Sequence, residues 1–312
     1  MFNITIVTVN WFNVEYILSV LKNLHAKAKH PENLSVLIVD NTNGKDESLQ
    51  KLNKSKIAFK ILSLDNRGFK GSIGHAWALD HAMKHLKSEY SVVVDPDIYV
   101  FKKYWDEFCL LEMKKTGSIA IGAPYPKWKV GKYHDFPSPP FCFFHTRTIK
   151  NMKHGWEPYG STIFHNALTF LVRQVGRMGS LLTRQRFEKH ALLRNYAAIS
   201  ERMFGVFSQD TGWKLAEEVR TKRFKTIVFD SVLHKDNFSV SKIANEAFQA
   251  MVREYEVFSY NKELILTHKY GTSGIPWRTK FGSDLNYWMN CIKKVEESLH
   301  ETRNDLSSVA IT

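Results

Sequence analysis

The sequence predicts an α/β protein with a mostly parallel central sheet flanked by helices, and three observations carry that prediction. Short β-branched runs alternate with longer segments whose apolar residues recur at helical spacing, the strand-helix-strand order of a parallel sheet with right-handed crossovers. The runs are apolar almost throughout, as expected of strands buried on both faces. Each run stops at an aspartate or asparagine, so polar side chains collect at one edge of the sheet.

Ile4 to Val9 reads as the first strand and ends at Asn10. Ile17, Leu18, Val20, Leu21 and Leu24 then recur as on one helical face. Leu34 to Val39 is the second strand, ending at Asp40-Asn41-Thr42-Asn43-Gly44, and Ile61 to Leu64 the third, ending at Asp65-Asn66-Arg67-Gly68. The glycine-rich stretch Asn66 to Leu79 runs into a helix carrying Leu79, Met83 and Leu86, a setting that lets backbone approach a ligand closely. It contains no GxGxxG fingerprint in the required place, and no GxxxxGK[ST] loop occurs. Asn10, Asp40, Asn66 and Asp95 each end a strand. Singly they are ordinary turn residues, and together they argue for a nucleotide or phosphate pocket.

The fourth strand, Ser91 to Val94, delivers Asp95-Pro96-Asp97 to that edge. Open α/β sheets bind ligands beyond the carboxyl ends of their strands. Pro96 stiffens the turn and favours an extended Asp95. Two converging carboxylates repel unless a cation lies between them, and a hard divalent ion such as Mg²⁺ or Mn²⁺ bound to a diphosphate meets that need. Asp-Pro-Asp as simple turn chemistry is the alternative.

Composition narrows the class. The 312 residues are 44% hydrophobic and 13% aromatic, enough for a substantial core and too apolar for a disordered chain. The 44 Lys and Arg against 31 acids leave a formal charge of +13, which favours polyanionic partners: nucleic acid, an anionic membrane surface or a phosphorylated small molecule. Cys109, Cys142 and Cys291 are widely spaced, so neither a disulfide framework nor a zinc site is indicated. No cleavable leader and no stretch of 18 apolar residues is seen, so the expectation is a cytoplasmic protein, at most peripheral at the inner face of the membrane.

Residues 123 to 160 hold most of the nine prolines and many aromatics, an irregular, substrate-side region. Residues 161 to 204 read as a helical insertion in which Leu168, Leu171, Val172, Val175 and Leu182 share a face among many arginines. It is either a solvated helix packed on the core or a surface for an anionic membrane or lipid-linked acceptor. Asp210 precedes a helix between Gly205 and Gly212, as an N-cap or as a general base. Thr226 to Val232 reads as a strand with His234 beyond it. After Leu264 to Leu266, His268 and Gly271 to Gly274, a helix runs from Asp284 to about Leu299, followed by a frayed end. The expected organisation is a catalytic domain over 1–240, with a nucleotide-binding half to 122, and a helical C-terminal extension over 241–312.

Taken in order, ITIVTVNW, VLIVDNTNGKD, LSLDNRGFKGSIGHAWAL, VVVDPDIYVF and QDTGWKLAEEV resemble the inverting family 2-like nucleotide-sugar glycosyltransferases of the GT-A fold, particularly the rhamnosyltransferase-like branch, over roughly residues 3 to 235. The resemblance implies that Thr8, Val9 and Asn10 line the nucleotide base and that Asp40 accepts from a base N–H. Asn66, Gly68 and Phe69 would pass the ribose and diphosphate. Asp95 and Asp97 match the DxD pair, the first reaching ribose or sugar hydroxyls and the second holding Mn²⁺ or Mg²⁺. Asp210 matches the general base, although Gln209 replaces the usual Glu before it. His234 or His268 would supply a further metal ligand. The implied partners are a UDP-, dTDP- or GDP-linked sugar donor and a glycan, glycolipid or other hydroxyl acceptor. A nucleotidyltransferase of the same fold would want a basic glycine-rich loop where NWFNVEY stands. A nucleic-acid binder would not gather acids at the sheet edge.

Overall fold

The structure is a computed structural model that describes residues 2–55, 57–158, 189–206, 210–233, 246–270 and 284–309. Gln209, His234, Gly271 to Gly274 and positions 161–188 of the expected insertion lie outside the described residues.

The first half follows the predicted order: β1 (Ile4–Asn10), α1 (Val14–Lys27), β2 (Leu34–Asp40), β3 (Lys60–Ser63), α2 (Gly71–His85) and β4 (Tyr90–Val94). β3, β2, β1 and β4 lie side by side and parallel. Beyond them the chain forms β5 (Ile98–Val100), α3 (Trp105–Thr116), β6 (Ala120–Gly122), β7 (Phe141–His145), α4 (Thr146–Lys150), α5 (Ala191–Phe204), α6 (Trp213–Thr221) and β8 (Thr226–Val228). β7 runs antiparallel between β4 and β6, and β8 closes the seven-stranded sheet parallel to β6.

Period-two alternation explains the layers. Ile4 and Ile6 of β1 and Val36 and Ile38 of β2 face a core made with Ile17, Leu21 and Leu24 of α1 and Trp105, Cys109 and Leu110 of α3. The alternate residues Val7, Val9, Leu37 and Val39 face a second core with Ala76, Leu79 and Ala82 of α2 and Leu215, Ala216 and Val219 of α6. With helices on both faces, the central parallel strands β1, β2 and β4 are buried on both sides, while the edge strand β3 has exposed Lys60 and Ser63 at its ends.

Three expectations are corrected after residue 225. Thr226 to Val232 is not one strand: it breaks at Phe229 into β8 and β9 (Asp230–Ser231), which belong to different sheets. The C-terminal extension is not purely helical. Between α7 (Glu246–Glu254) and α8 (Leu285–Val309) lie β10 (Glu256–Tyr260) and β11 (Glu263–His268), which join β5 and β9 in a four-stranded antiparallel sheet. The hairpin turns on Asn261 and Lys262, both at positive φ (49° and 64°), a two-residue turn without the glycine that usually announces one. Finally, α8 continues to Val309, beyond the expected fraying point near Leu299. The small sheet takes strands from both sides of residue 240, so the two expected domains share backbone pairing. Its outer face packs on Phe248 and Met251 of α7 and Trp288, Ile292 and Val295 of α8.

Candidate active site

A cavity of about 420 Å³ opens where the carboxyl ends of β1 and β4 meet the end of β11. β4 ends at Val94, and Asp95 follows with its backbone N–H donated to the Pro140 carbonyl (3.3 Å). After Pro96 the chain crosses to the small sheet, where Ile98 pairs with His268 and the Asp97 carbonyl accepts from the Lys269 N–H (2.9 Å). The two-residue offset between the acids is therefore the step from one sheet to the other. Register brings in His268, whose Nε2 lies 3.3 Å from Asp97 Oδ1 and 3.8 Å from Asp95 Oδ2. One ligand atom from each of Asp95, Asp97 and His268 can be chosen so that all lie within 4.8 Å of one another.

Asp210 lines the same cavity. Of its two readings, the cap is not realised. Gly212, at φ +87°, is the N-cap of α6, with no side-chain cap bond. The Asp210 carboxylate instead accepts from Thr211 N (2.9 Å) and from the Ser72 hydroxyl, and pairs with Lys132 Nζ at 2.5 Å.

Among the other predicted residues, Val9 and Phe69 line the cavity, whereas Thr8, Asn10, Asp40, Asn66 and Gly68 are not among its lining residues. The side chains of Asn10, Asp40 and Asn66 are engaged in building the edge. Asp40 accepts from Thr42 N (3.1 Å) and Oγ1 (2.6 Å) with one oxygen and from Gly44 N (3.2 Å) with the other. Asn10 Nδ2 donates to Asp46 Oδ2 (2.9 Å), and Asn66 donates to the Asn41 carbonyl (2.8 Å) while accepting from Gly68 N (2.9 Å). Thr8 is fully buried beneath the edge. In this structure both Asp40 oxygens accept hydrogen bonds from the turn that follows β2.

Sequence reasoning missed several groups. His75 Nε2 lies 3.7 Å from Asp95 Oδ1, and Ser72 and His75 both stand on the first turns of α2, three residues apart. That helical spacing after the glycine run is a signal that could have found them. Lys129 and Lys132 come from the irregular loop after Tyr125, where no periodicity marks them. Glu256, buried at the start of β10, contacts His268 Nδ1 through Oε2 (2.9 Å) and Lys129 Nζ through Oε1 (2.5 Å).

The charges are strongly coupled. Burial pushes the Asp95 carboxyl up, the charges of Asp97 and Asp210 add to that, and His75 and His268 oppose it. Burial acts the same way on Asp97, but the His268 ring outweighs it and holds this carboxyl below the usual range. For His268, burial alone would lower the pKa, and Asp97 and Glu256 together raise it to about 10. Asp210, despite burial, is drawn down to about 2, by Lys132 first and then by Ser72 and Thr211. Glu256, against the same penalty, is drawn to about 2 by Lys129 and His268. The acids are faced by the His268 ring and by Lys129 and Lys132.

The acids at the carboxyl end of the fourth parallel strand fall within a sequence match: residues 4–175 fit the glycosyl transferase family 2 profile, over more than half of the chain. The chain belongs to glycosyl transferase family 2. Its mixed central sheet with helices on both faces is accordingly a GT-A fold. No curated protein matches this family 2 chain. Among solved structures it is similar to the mannosyltransferase PcManGT from Pyrobaculum calidifontis in complex with GDP-Man and Mn²⁺, at 17% identity over 49% of this chain and 47% of that one, with a TM-score of 0.40. It is also similar to S. aureus TarS 1–349 in complex with UDP-GlcNAc, at 19% identity over 48% and 47% of the two chains, with a TM-score of 0.36. The matched region spans about half the length of each of these structures.

Proposed function

We propose that this family 2 chain is an inverting, metal-dependent glycosyltransferase that moves a sugar from a nucleotide-diphosphate donor to a hydroxyl acceptor. The observation that supports it most is the meeting of Asp95, Asp97 and His268 in the cavity that Asp210 also lines. Two hard carboxylates and an imidazole suit Mn²⁺ or Mg²⁺. When bound, such an ion offsets the charge that grows on the departing diphosphate.

The residues have separable tasks. Asp97 and His268 would hold the ion, and Asp95 would hold it while reaching the ribose or sugar hydroxyls. The exposed ring of Trp11 and the ring of Phe69 offer apolar surface for the base of a UDP-, dTDP- or GDP-linked donor. Asp210 takes the proton from the acceptor hydroxyl as that oxygen attacks the anomeric carbon from the face opposite the diphosphate. Asp210 is paired with Lys132 and held below its usual range by it, so that pairing would have to loosen for the carboxylate to act as the base. The arriving diphosphate is the anion that competes for Lys132.

On the acceptor side, α5 packs inward through Ala197, and Glu201 accepts from Gly131 N (2.7 Å), in the loop carrying Lys129 and Lys132. Its outer stripe of Leu192, Tyr196, Ile199 and Met203, spaced four, three and four residues apart, is exposed, and Lys189 and Arg202 are exposed with it. With the +13 charge, this supports peripheral contact with an anionic membrane at the cytoplasmic face and a lipid-linked acceptor. No helix among the described residues is long and apolar enough to cross a membrane.

The test is a thermal-shift panel of UDP, GDP, dTDP and CDP, each with and without Mn²⁺. A diphosphate at about a hundred times its dissociation constant stabilises the fold by roughly 2.7 kcal/mol. A metal-dependent shift with one of them is the expected result, and it names the donor's base. No shift with any of the four overturns the reading.

A further inference from the structure

The buried carboxylate of Glu256 has no part in the chemistry above, yet both of its oxygens are held beside the cavity. Glu256 opens β10 and His268 closes β11, and the two are direct cross-strand partners. Antiparallel partners project to the same face of the sheet, so the contact between Glu256 Oε2 and His268 Nδ1 at 2.9 Å follows from the register. A carboxylate can only accept, so Nδ1 carries hydrogen, and Nε2 is the ring atom turned towards Asp97 and Asp95, where any proton it holds would have to leave before an ion binds. The second Glu256 oxygen is gripped as well. Lys129 Nζ sits 2.5 Å from Oε1 and 3.4 Å from the centre of the Tyr270 ring. Glu256, His268 and Lys129 are all buried. A carboxylate held at both oxygens cannot rotate, and the imidazole bonded to it keeps one orientation.

We propose that Glu256 is a positioning residue of the metal site: it fixes the tautomer and orientation of His268 so that Nε2 is presented to a divalent ion beside Asp95 and Asp97, and Lys129 fixes Glu256 in turn. This rests on the metal-site reading of the cavity given above. A carboxylate behind a ligating histidine raises the basicity of the ring and removes the freedom it would lose on binding. The same chain of contacts joins the ion to the 126–132 loop. The metal site and the acceptor side are then parts of one network, through a residue that touches neither substrate.

The competing account is a buried ion pair that only ties that loop to the small sheet. It predicts a loss of stability and no change in metal affinity, because removing one partner of a buried pair destabilises the fold wherever it lies. The experiment is Mn²⁺ titration of the full chain, followed by the EPR signal of the free ion, for wild type, Glu256→Ala and Glu256→Gln, with the metal-free melting temperature of each. We expect Glu256→Ala to bind Mn²⁺ about 10- to 100-fold more weakly than wild type. Glu256→Gln should recover part of that loss, because its amide oxygen still accepts from Nδ1. If the alanine variant does not fold, the glutamine variant alone decides, and it too should bind more weakly than wild type. Lower melting temperatures with unchanged Mn²⁺ affinity would overturn the proposal and leave the metal site standing. A wild-type protein that binds no Mn²⁺ would overturn both.

Discussion

The seven-stranded sheet and the four-stranded sheet meet at one cavity and bring opposite charges to it. The parallel strands end in Asp95 at the edge where α/β sheets collect ligands, and its position follows from the chain running straight off β4. The antiparallel sheet brings His268, whose position depends on pairing across a hairpin and then against β5. Asp97 stands at the crossing, attached to the first sheet by Pro96 and to the second by its hydrogen bond from Lys269. A site of this kind has one part placed by local sequence and another by non-local register, and the two should fail differently.

Asp97→Asn breaks that comparison most severely. His268 is buried and leans on Asp97, so removing the charge leaves an imidazolium with one carboxylate partner fewer. We expect a stability loss of about 3–5 kcal/mol by urea denaturation, together with loss of Mn²⁺ binding. A variant with wild-type midpoint and wild-type Mn²⁺ affinity would show that the two sheets are not joined electrostatically there.

Asp210→Asn should separate chemistry from binding. Turnover should fall about a hundredfold, corresponding to roughly 3 kcal/mol of transition-state stabilisation, while the nucleotide diphosphate binds no more weakly than to wild type, because Lys132 is released to it. Near-normal turnover would remove Asp210 from the role of base.

The smallest effect is expected from Lys132→Met. Asp210 is held near 2, below its ordinary value of 3.8, so its pairing stabilises the fold above about pH 4 and that contribution is lost as the pH falls towards 2. Lys132 is the main cause of the lowering, and both side chains are mostly buried. The variant should be less stable than wild type by on the order of 1–2 kcal/mol near neutrality, with the gap narrowing below about pH 4. A gap independent of pH would mean that Lys132 acts through packing.

Much of the frame was legible in the chain. β1, α1, β2, β3, α2 and β4 lie close to where periodicity put them, because strands buried on both faces must be apolar and crossover helices amphipathic. Asp95 and Asp97 were legible for the same reason, being contiguous with a strong strand. Asp40, Asn10 and Asn66 were read as ligand-facing because they end strands. Polar residues there can face a ligand, brace the turn or do both, and residue type does not separate these; their bonds to Thr42, Gly44, Asp46 and Asn41 show the bracing. The β10–β11 hairpin escaped because Asn261-Lys262 makes a turn that glycine usually makes. With the hairpin went Glu256, whose pairing with His268 spans 12 residues of chain.

The sequence by itself determined the alternation of strands and helices and the edge to which Asp95 and Asp97 are delivered. Hydrophobic period and strand direction are local properties, and a carboxylate at a strand end travels with its strand. Only the tertiary structure decided which charges those acids face. His268 beside Asp97, Lys132 against Asp210 and Glu256 behind His268 come together from segments separated by 171, 78 and 12 positions. Their proximity depends on strand register and on the course of a loop, and their energies depend on burial that exists only once the two sheets have closed around the cavity.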